Sequence, residues 1–264
     1  MPASASTPTA MVTADPMQLA RDGIWGPAGL DEGRVERALA VVLGSAVDAA
    51  DLYFQVAREE SWALEDGIVK EGHASIEQGV GVRALSGEKT GFAYSDEIMQ
   101  PALEEAARAA RAIATSTGHG AVQAWQATRG HQLYLPVDPR LGLKDEDKIA
   151  WLERIDRETR RIDPRVVQVM ASMHATHELV LVARNDGVLA ADVRPLVRVN
   201  VSVIVEQQGR REQGYAGCGG RYSIEELLIA DRPLALGREA VRQALVNLEA
   251  VPAPAGMMTV VLGP

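Results

Sequence analysis

Few residues of this 264-residue chain have the type and spacing for chemistry. His177 stands directly before Glu178, as in a zinc-protease helix, where a second histidine returns one helical turn later to complete the ligand pair. Leu181 and Val182 occupy those positions instead, so the motif fails. His174 and His177 are three apart and would align on a helix. The run from Val166 to Val182 reads as strand, however, where that spacing sends two side chains to opposite faces. Both therefore read as ordinary strand histidines.

Cys218 lies in Gly217-Cys-Gly-Gly220, a setting that could expose a thiolate or let a ligand approach the backbone. No histidine partner lies nearby in sequence, so a loop filler is the plainer reading. Gly79-x-Gly81 lacks the third glycine and the strand-to-helix setting of a dinucleotide loop. Two glycines on one strand face predict instead that something packs close. Ser61, Ser86 and Ser95 have no G-x-S-x-G elbow around them. That leaves Arg83, the loop pair Glu88 and Lys89, and their counterparts Arg210 and Arg211, as candidates to line a substrate path or partner groove. Solvated charge is the ordinary role of such residues.

The elements that must position these residues follow from periodicity. Asp31 to Ala49 places Val35, Ala38, Leu39, Val42 and Ala46 on one helical face. Leu52, Phe54 and Val56 then alternate with polar neighbours, and the run through Trp62 and Leu64 meets Asp66-Gly67, a hairpin signal. A strand from Ser75 to Leu85 leads to a polar glycine loop at 86–91, and Phe92 and Tyr94 begin the return. A second helix follows Pro101 and closes near Gly118. After a connector at 118–145 the order repeats: helix from Asp145 to Ile162, strands around Asp186-Gly187, a loop at Gly209, and a helix through Val241 and Leu248. The matched landmarks keep an offset of about 120 residues, which points to internal duplication. The expected fold class is α+β, two similar helix–antiparallel-sheet–helix halves at about 31–118 and 145–249. Residues 1–20 are expected to form a disordered tail. Met257 to Leu262 is expected to be an apolar strand, whose bare edge implies that more chain follows.

Net charge is -9, with 27 Lys and Arg against 36 Asp and Glu, which argues against direct nucleic-acid binding. The single cysteine rules out an internal disulfide framework and suits a reducing compartment, so the cytoplasm is expected. No run approaches the roughly 20 apolar residues of a membrane span.

Several segments resemble the N-terminal half of the TldD branch of the TldD/PmbA metalloprotease family, also labelled modulators of DNA gyrase. They are Asp51-Leu-Tyr-Phe-Gln55, Glu60-Ser-Trp-Ala-Leu-Glu-Asp66, the run from Gln78 to Asp96 (QGVGVRALSGEKTGFAYSD), Ala190-Ala-Asp-Val-Arg-Pro-Leu-Val-Arg198, and Ala240-Val-Arg-Gln-Ala-Leu-Val-Asn-Leu248. The resemblance implies a cytoplasmic zinc peptidase that pairs with a PmbA-type (TldE) subunit. Such an enzyme cuts unfolded peptides, such as microcin precursors and a labile antitoxin, inside a closed chamber. This half would supply scaffold and chamber wall, with residues 251–264 opening a C-terminal metallopeptidase domain. The family's H-E-x-x-x-H motif lies beyond a strand resembling Val260-Val-Leu-Gly263, so no zinc ligand or catalytic residue is carried onto this chain. The expectation is a chain that binds no zinc and is inactive alone. The alternatives are a non-catalytic binding module assembling with a TldD/PmbA-type partner, and cysteine-dependent hydrolysis at Cys218.

Overall fold

The computed structural model describes residues 15–44, 47–114, 120–128 and 133–263. The described residues open with α1 (Pro16–Ala20), a π-helical turn (Arg21–Trp25) and α2 (Gly26–Ala28). Most of the expected tail, residues 1–14, lies outside the described residues, but its last part does not behave as a tail. Asp15 accepts a hydrogen bond from the Met17 amide and starts α1, and Ile24 and Trp25 are buried in the first core.

Helix α3 (Glu32–Leu43) begins at Asp31, whose carboxylate accepts from the Arg34 amide at 2.8 Å. It ends earlier than the periodicity suggests, because Gly44 takes a φ of 48° that stops the helix, and Ala49 already opens β1. Ala46, part of the expected helical face, lies outside the described residues. Strands β1 (Ala49–Glu65), β2 (Ile68–Ser86) and β3 (Lys89–Ser95) form an antiparallel meander, and α4 (Gln100–Ala114) closes the unit. The expected closure near Gly118 also falls outside the described residues.

The connector holds one element that its composition concealed. A three-residue strand, β4 (Gln126–Thr128), runs parallel to the start of β6. Then α5 (Asp145–Arg160), β5 (Val166–Arg184), β6 (Val188–Gln207), β7 (Arg210–Gly220), the short α6 (Ile224–Leu228) and α7 (Arg232–Leu248) repeat the first unit's order, with α6 added. The Asp66-Gly67 and Asp186-Gly187 turns join corresponding hairpins, and Gly67 and Gly187 supply the positive φ.

All the described strands join one sheet in the order β3-β2-β1-β5-β6-β4, with β7 also paired to β6. The halves meet where β1 runs antiparallel to β5, Arg58 opposite His177. At 17 to 20 residues, β1, β5 and β6 are long because two cores lie side by side along them, whereas β2, 19 residues long, enters only the first core, through Val80, Val82 and Ala84. On β5, Leu179, Leu181 and Ala183 enter the first core, whereas Val169, Ala171 and Met173 enter the second. All six positions are odd, so both cores and their helices cover the same face of the sheet. The other face is open: His174 and Arg184 are exposed on it.

Met257–Leu262 is not a strand. The segment after α7 is irregular, and Met257, Val260, Val261 and Leu262 are exposed, because no described strand offers them a ladder.

Candidate functional site

The sequence candidates separate when placed on this sheet. Arg83 on β2 is held by Asp51 on β1, at 2.8 Å from Nε and 2.7 Å from a terminal nitrogen. Glu88 lies in the β2–β3 turn and Lys89 begins β3, both exposed. Arg210 and Arg211 begin β7. Arg210 donates to Glu212 and to the carbonyl of Asn247 at 2.8 Å, where it satisfies the end of α7, and Arg211 pairs with Glu206. The β2–β3 turn adjoins the start of β1, where Ala49 pairs with Leu85. The β6–β7 turn adjoins the start of β5, where Val166 pairs with Val205. Because β1 and β5 run antiparallel, these turns lie at opposite ends of strands that span about 60 Å. They do not line one groove.

His174 and His177 do point to opposite faces. His174 is on the open side, whereas His177 is buried with Nδ1 3.5 Å from Asp138. Burial pushes the His177 imidazole below its ordinary value; Asp138 opposes this, and Arg140 and Arg58 reinforce it. Burial alone would raise the Asp138 carboxyl, but the hydrogen bonds from Arg140 and the charge of His177 bring it below its usual range. Glu178 faces the open side and binds Gln55 and Arg194. His177 and Glu178 thus cannot share a ligand, and no group of three or more potential ligands occurs among the described residues. The described residues do not fit a zinc centre.

Cys218 is on β7, opposite Val199, and not in a loop; its ladder continues through glycines that pack close to neighbouring side chains. Burial pushes its thiol upward, against the pull of Arg232 and Arg198, which disfavours the thiolate needed for hydrolysis. Ser61 lies between His73 and His174 in register, but no hydrogen bond joins it to either among the described residues.

A different feature carries the shape of a site. Gly79 and Gly81 lie next to Gln55 and Tyr53 on the open face and, with Phe92 and Tyr94 of β3, line a depression of about 370 Å³. A Cβ on Gly81 would stand 3.2 Å from the Phe92 ring, and one on Gly79 would stand 2.9 Å from the Ser95 carbonyl oxygen. The glycines therefore let β3 side chains fold over the strand. Phe92 and Tyr94 are 57% and 79% exposed, and the carboxylates of Glu77 and Asp96 stand at the rim. Neither carboxylate has an ion pair or hydrogen bond among the described residues. The sequence signalled the glycines, since a paired Gly-x-Gly in a strand asks for close packing. The rings gave no such signal, because Tyr53, Phe92 and Tyr94 read as ordinary strand alternation.

Beneath the opposite face lies a buried ion pair. Lys148 of α5 is 2% exposed, and its ammonium reaches Glu60 of β1 at 2.5 Å and the carbonyl of Arg140 at 3.0 Å. It ties the second unit's first helix to the first unit's first strand.

Comparison with known proteins places this architecture. The PmbA/TldA metallopeptidase domain 1 model matches residues 50–114, and the PmbA/TldA metallopeptidase central domain model matches residues 138–248. A metalloprotease TldD homolog from Haemophilus influenzae is 48% identical over 223 residues, covering 82% of this chain and 46% of the relative. One from Buchnera aphidicola is 40% identical over the same shares. The chain therefore spans about half the length of these curated relatives. Among solved structures, a Thermotoga maritima protein described as a modulator of DNA gyrase matches with TM-score 0.67 and 17% identity, over 85% of this chain and 50% of its own. TldE from Thermococcus kodakarensis matches with TM-score 0.61 and 10% identity, over 80% and 47%. At these identities the structures show the fold alone. No helix among the described residues is long and apolar enough to cross a membrane.

Proposed function

Because the chain belongs to the PmbA/TldD metallopeptidase family, we propose that it is the scaffold and chamber-wall part of a TldD-type zinc peptidase that acts on unfolded peptides in the cytoplasm beside a PmbA/TldE-type subunit. The observation that carries this reading is the consecutive match of the family's first and central domains to the two helix–sheet units. Among the described residues the histidines and carboxylates lie apart, in keeping with a supporting role, since hydrolysis at zinc needs ligands, an open coordination position and a base together. On this reading the 264-residue chain is inert by itself.

The test is cleavage of an unfolded peptide by the chain alone, with zinc assayed on the same sample, and size-exclusion of the chain mixed with a PmbA/TldE-type subunit. We expect no cleavage, no stoichiometric zinc and a mixed complex. Chelator-sensitive cleavage by the isolated chain overturns the scaffold role, and separate elution of the two proteins overturns the pairing.

A further inference from the structure

The second unit supplies a template for the depression in the first. Gly91 and Gly214 occupy corresponding positions, since a Cβ on either would stand 1.9 Å from a helix carbonyl, that of Ala110 or Ala240. Counting along the ladders from these glycines, Tyr215 corresponds to Phe92, Gly217 to Tyr94, Asn200 to Gly81 and Arg198 to Gly79. In the second unit the site is filled from within. Arg198 donates to Asn200 at 2.7 Å and to the Tyr215 hydroxyl at 3.1 Å, and that hydroxyl donates to Asn200 at 2.6 Å. A guanidinium thus occupies the position that Gly79 leaves open in the first unit.

We propose that the depression over Gly79 and Gly81 binds an arginine side chain of an extended polypeptide laid along the outer edge of β3. Its chemistry is complementary to a cation. Three aromatic side chains line it, Glu77 and Asp96 are unpaired among the described residues, and no cationic residue is in the lining. Strand β3 is the end of the sheet path, and among the described residues no strand pairs with its outer edge, which can take an added strand along Gly91 to Ser95. An arginine on that strand has only one strand spacing, about 4.8 Å, to cross before reaching the rings. The inference stands apart from the peptidase reading, because binding is read on the chain with no turnover.

The experiment titrates the full chain with Ac-Thr-Val-Arg-Val-Thr-amide and with the same peptide carrying citrulline, which keeps the shape and removes the charge. We expect the arginine peptide to bind about tenfold tighter. Glu77→Gln with Asp96→Asn, both exposed, and separately Tyr94→Ala, should each weaken it by about tenfold, with thermal unfolding confirming the fold. Gly81→Asn, which copies the second unit's residue, should block binding, and Tyr215→Phe should leave it unchanged. Equal affinity for the two peptides, no binding of either, or binding unaffected by Gly81→Asn overturns the site. N-acetyl-arginine amide binding as tightly as the pentapeptide overturns the strand addition.

Discussion

The two helix–sheet–helix units meet the same packing demand with the same residue and then part company on the open face of the sheet. Gly91 lets α4 press on β3, and Gly214 lets α7 press on β7, each against a helix carbonyl that leaves no room for a side chain. On the far side of the ladder, the second unit ties down Arg198, Asn200 and Tyr215, while the first leaves glycines, exposed rings and carboxylates that are unpaired among the described residues. The helix-covered face is fixed by packing, whereas the open face, with no core to fill, is free to diverge into a site.

The sharpest way to break that comparison is to place a methyl group at the shared contact. Gly91→Ala and Gly214→Ala should each cost about 4 kcal/mol, at the upper end for single substitutions, because the obstacle is backbone and cannot rotate away. Urea unfolding of both variants checks this. Losses that differ severalfold between the two would mean that the glycines are not equivalent.

Next in size is the tie between the units. Lys148→Met removes the cation from a pair that is 2% and 17% exposed, and should cost about 3 kcal/mol, because Glu60 is left with only the Trp62 indole as donor. Glu60→Gln in the same background should then cost much less than it does alone. If the two losses simply add, Lys148 is a packing residue and its ion pair does not help to hold the units together.

These two sites differ in how far they were legible. The Asp-Gly turns, the alternation of Leu52, Phe54 and Val56, and the helix face of Leu103, Ala106 and Ala110 are local signals, so the order of elements could be read from the chain. Boundaries set by a single backbone conformation could not, as at Gly44, which ends α3 before the apolar period does. Three residues of β4 are too few to show a period. Lys148 sits in Asp-Glu-Asp-Lys and reads as a solvent-facing helix residue; its burial comes from a strand 88 residues away. The depression was half legible, the glycines by their spacing and the rings only once β3 lay beside β2.

A smaller effect tests the junction itself. His177 lies opposite Arg58 where β1 meets β5, and burial holds its imidazole below the ordinary 6.5. The unfolded chain then takes up the proton first, so stability is full above about pH 6.5 and falls as pH drops toward the lower folded value. Asp138, also depressed, adds loss at still lower pH. His177→Gln should flatten the upper part of that fall in a series of thermal melts between pH 7.5 and 5. An unchanged slope would place the titration elsewhere.

The smallest expected effect separates the two open faces most directly. Tyr215→Phe removes a hydroxyl that accepts from Arg198 and donates to Asn200, but the ring is 46% exposed, so water recovers much of the loss and the cost should be about 0.5 to 1 kcal/mol. The reciprocal change, Phe92→Tyr, adds a hydroxyl where glycines, Gly79 and Gly81, stand in place of Arg198 and Asn200, and should alter stability by less than about 0.5 kcal/mol. If Phe92→Tyr stabilises as much as Tyr215→Phe destabilises, the first unit already holds a partner for that hydroxyl, and its open face is as self-satisfied as the second's. An asymmetric pair of values means that the first unit has kept its polar partners for something outside the chain.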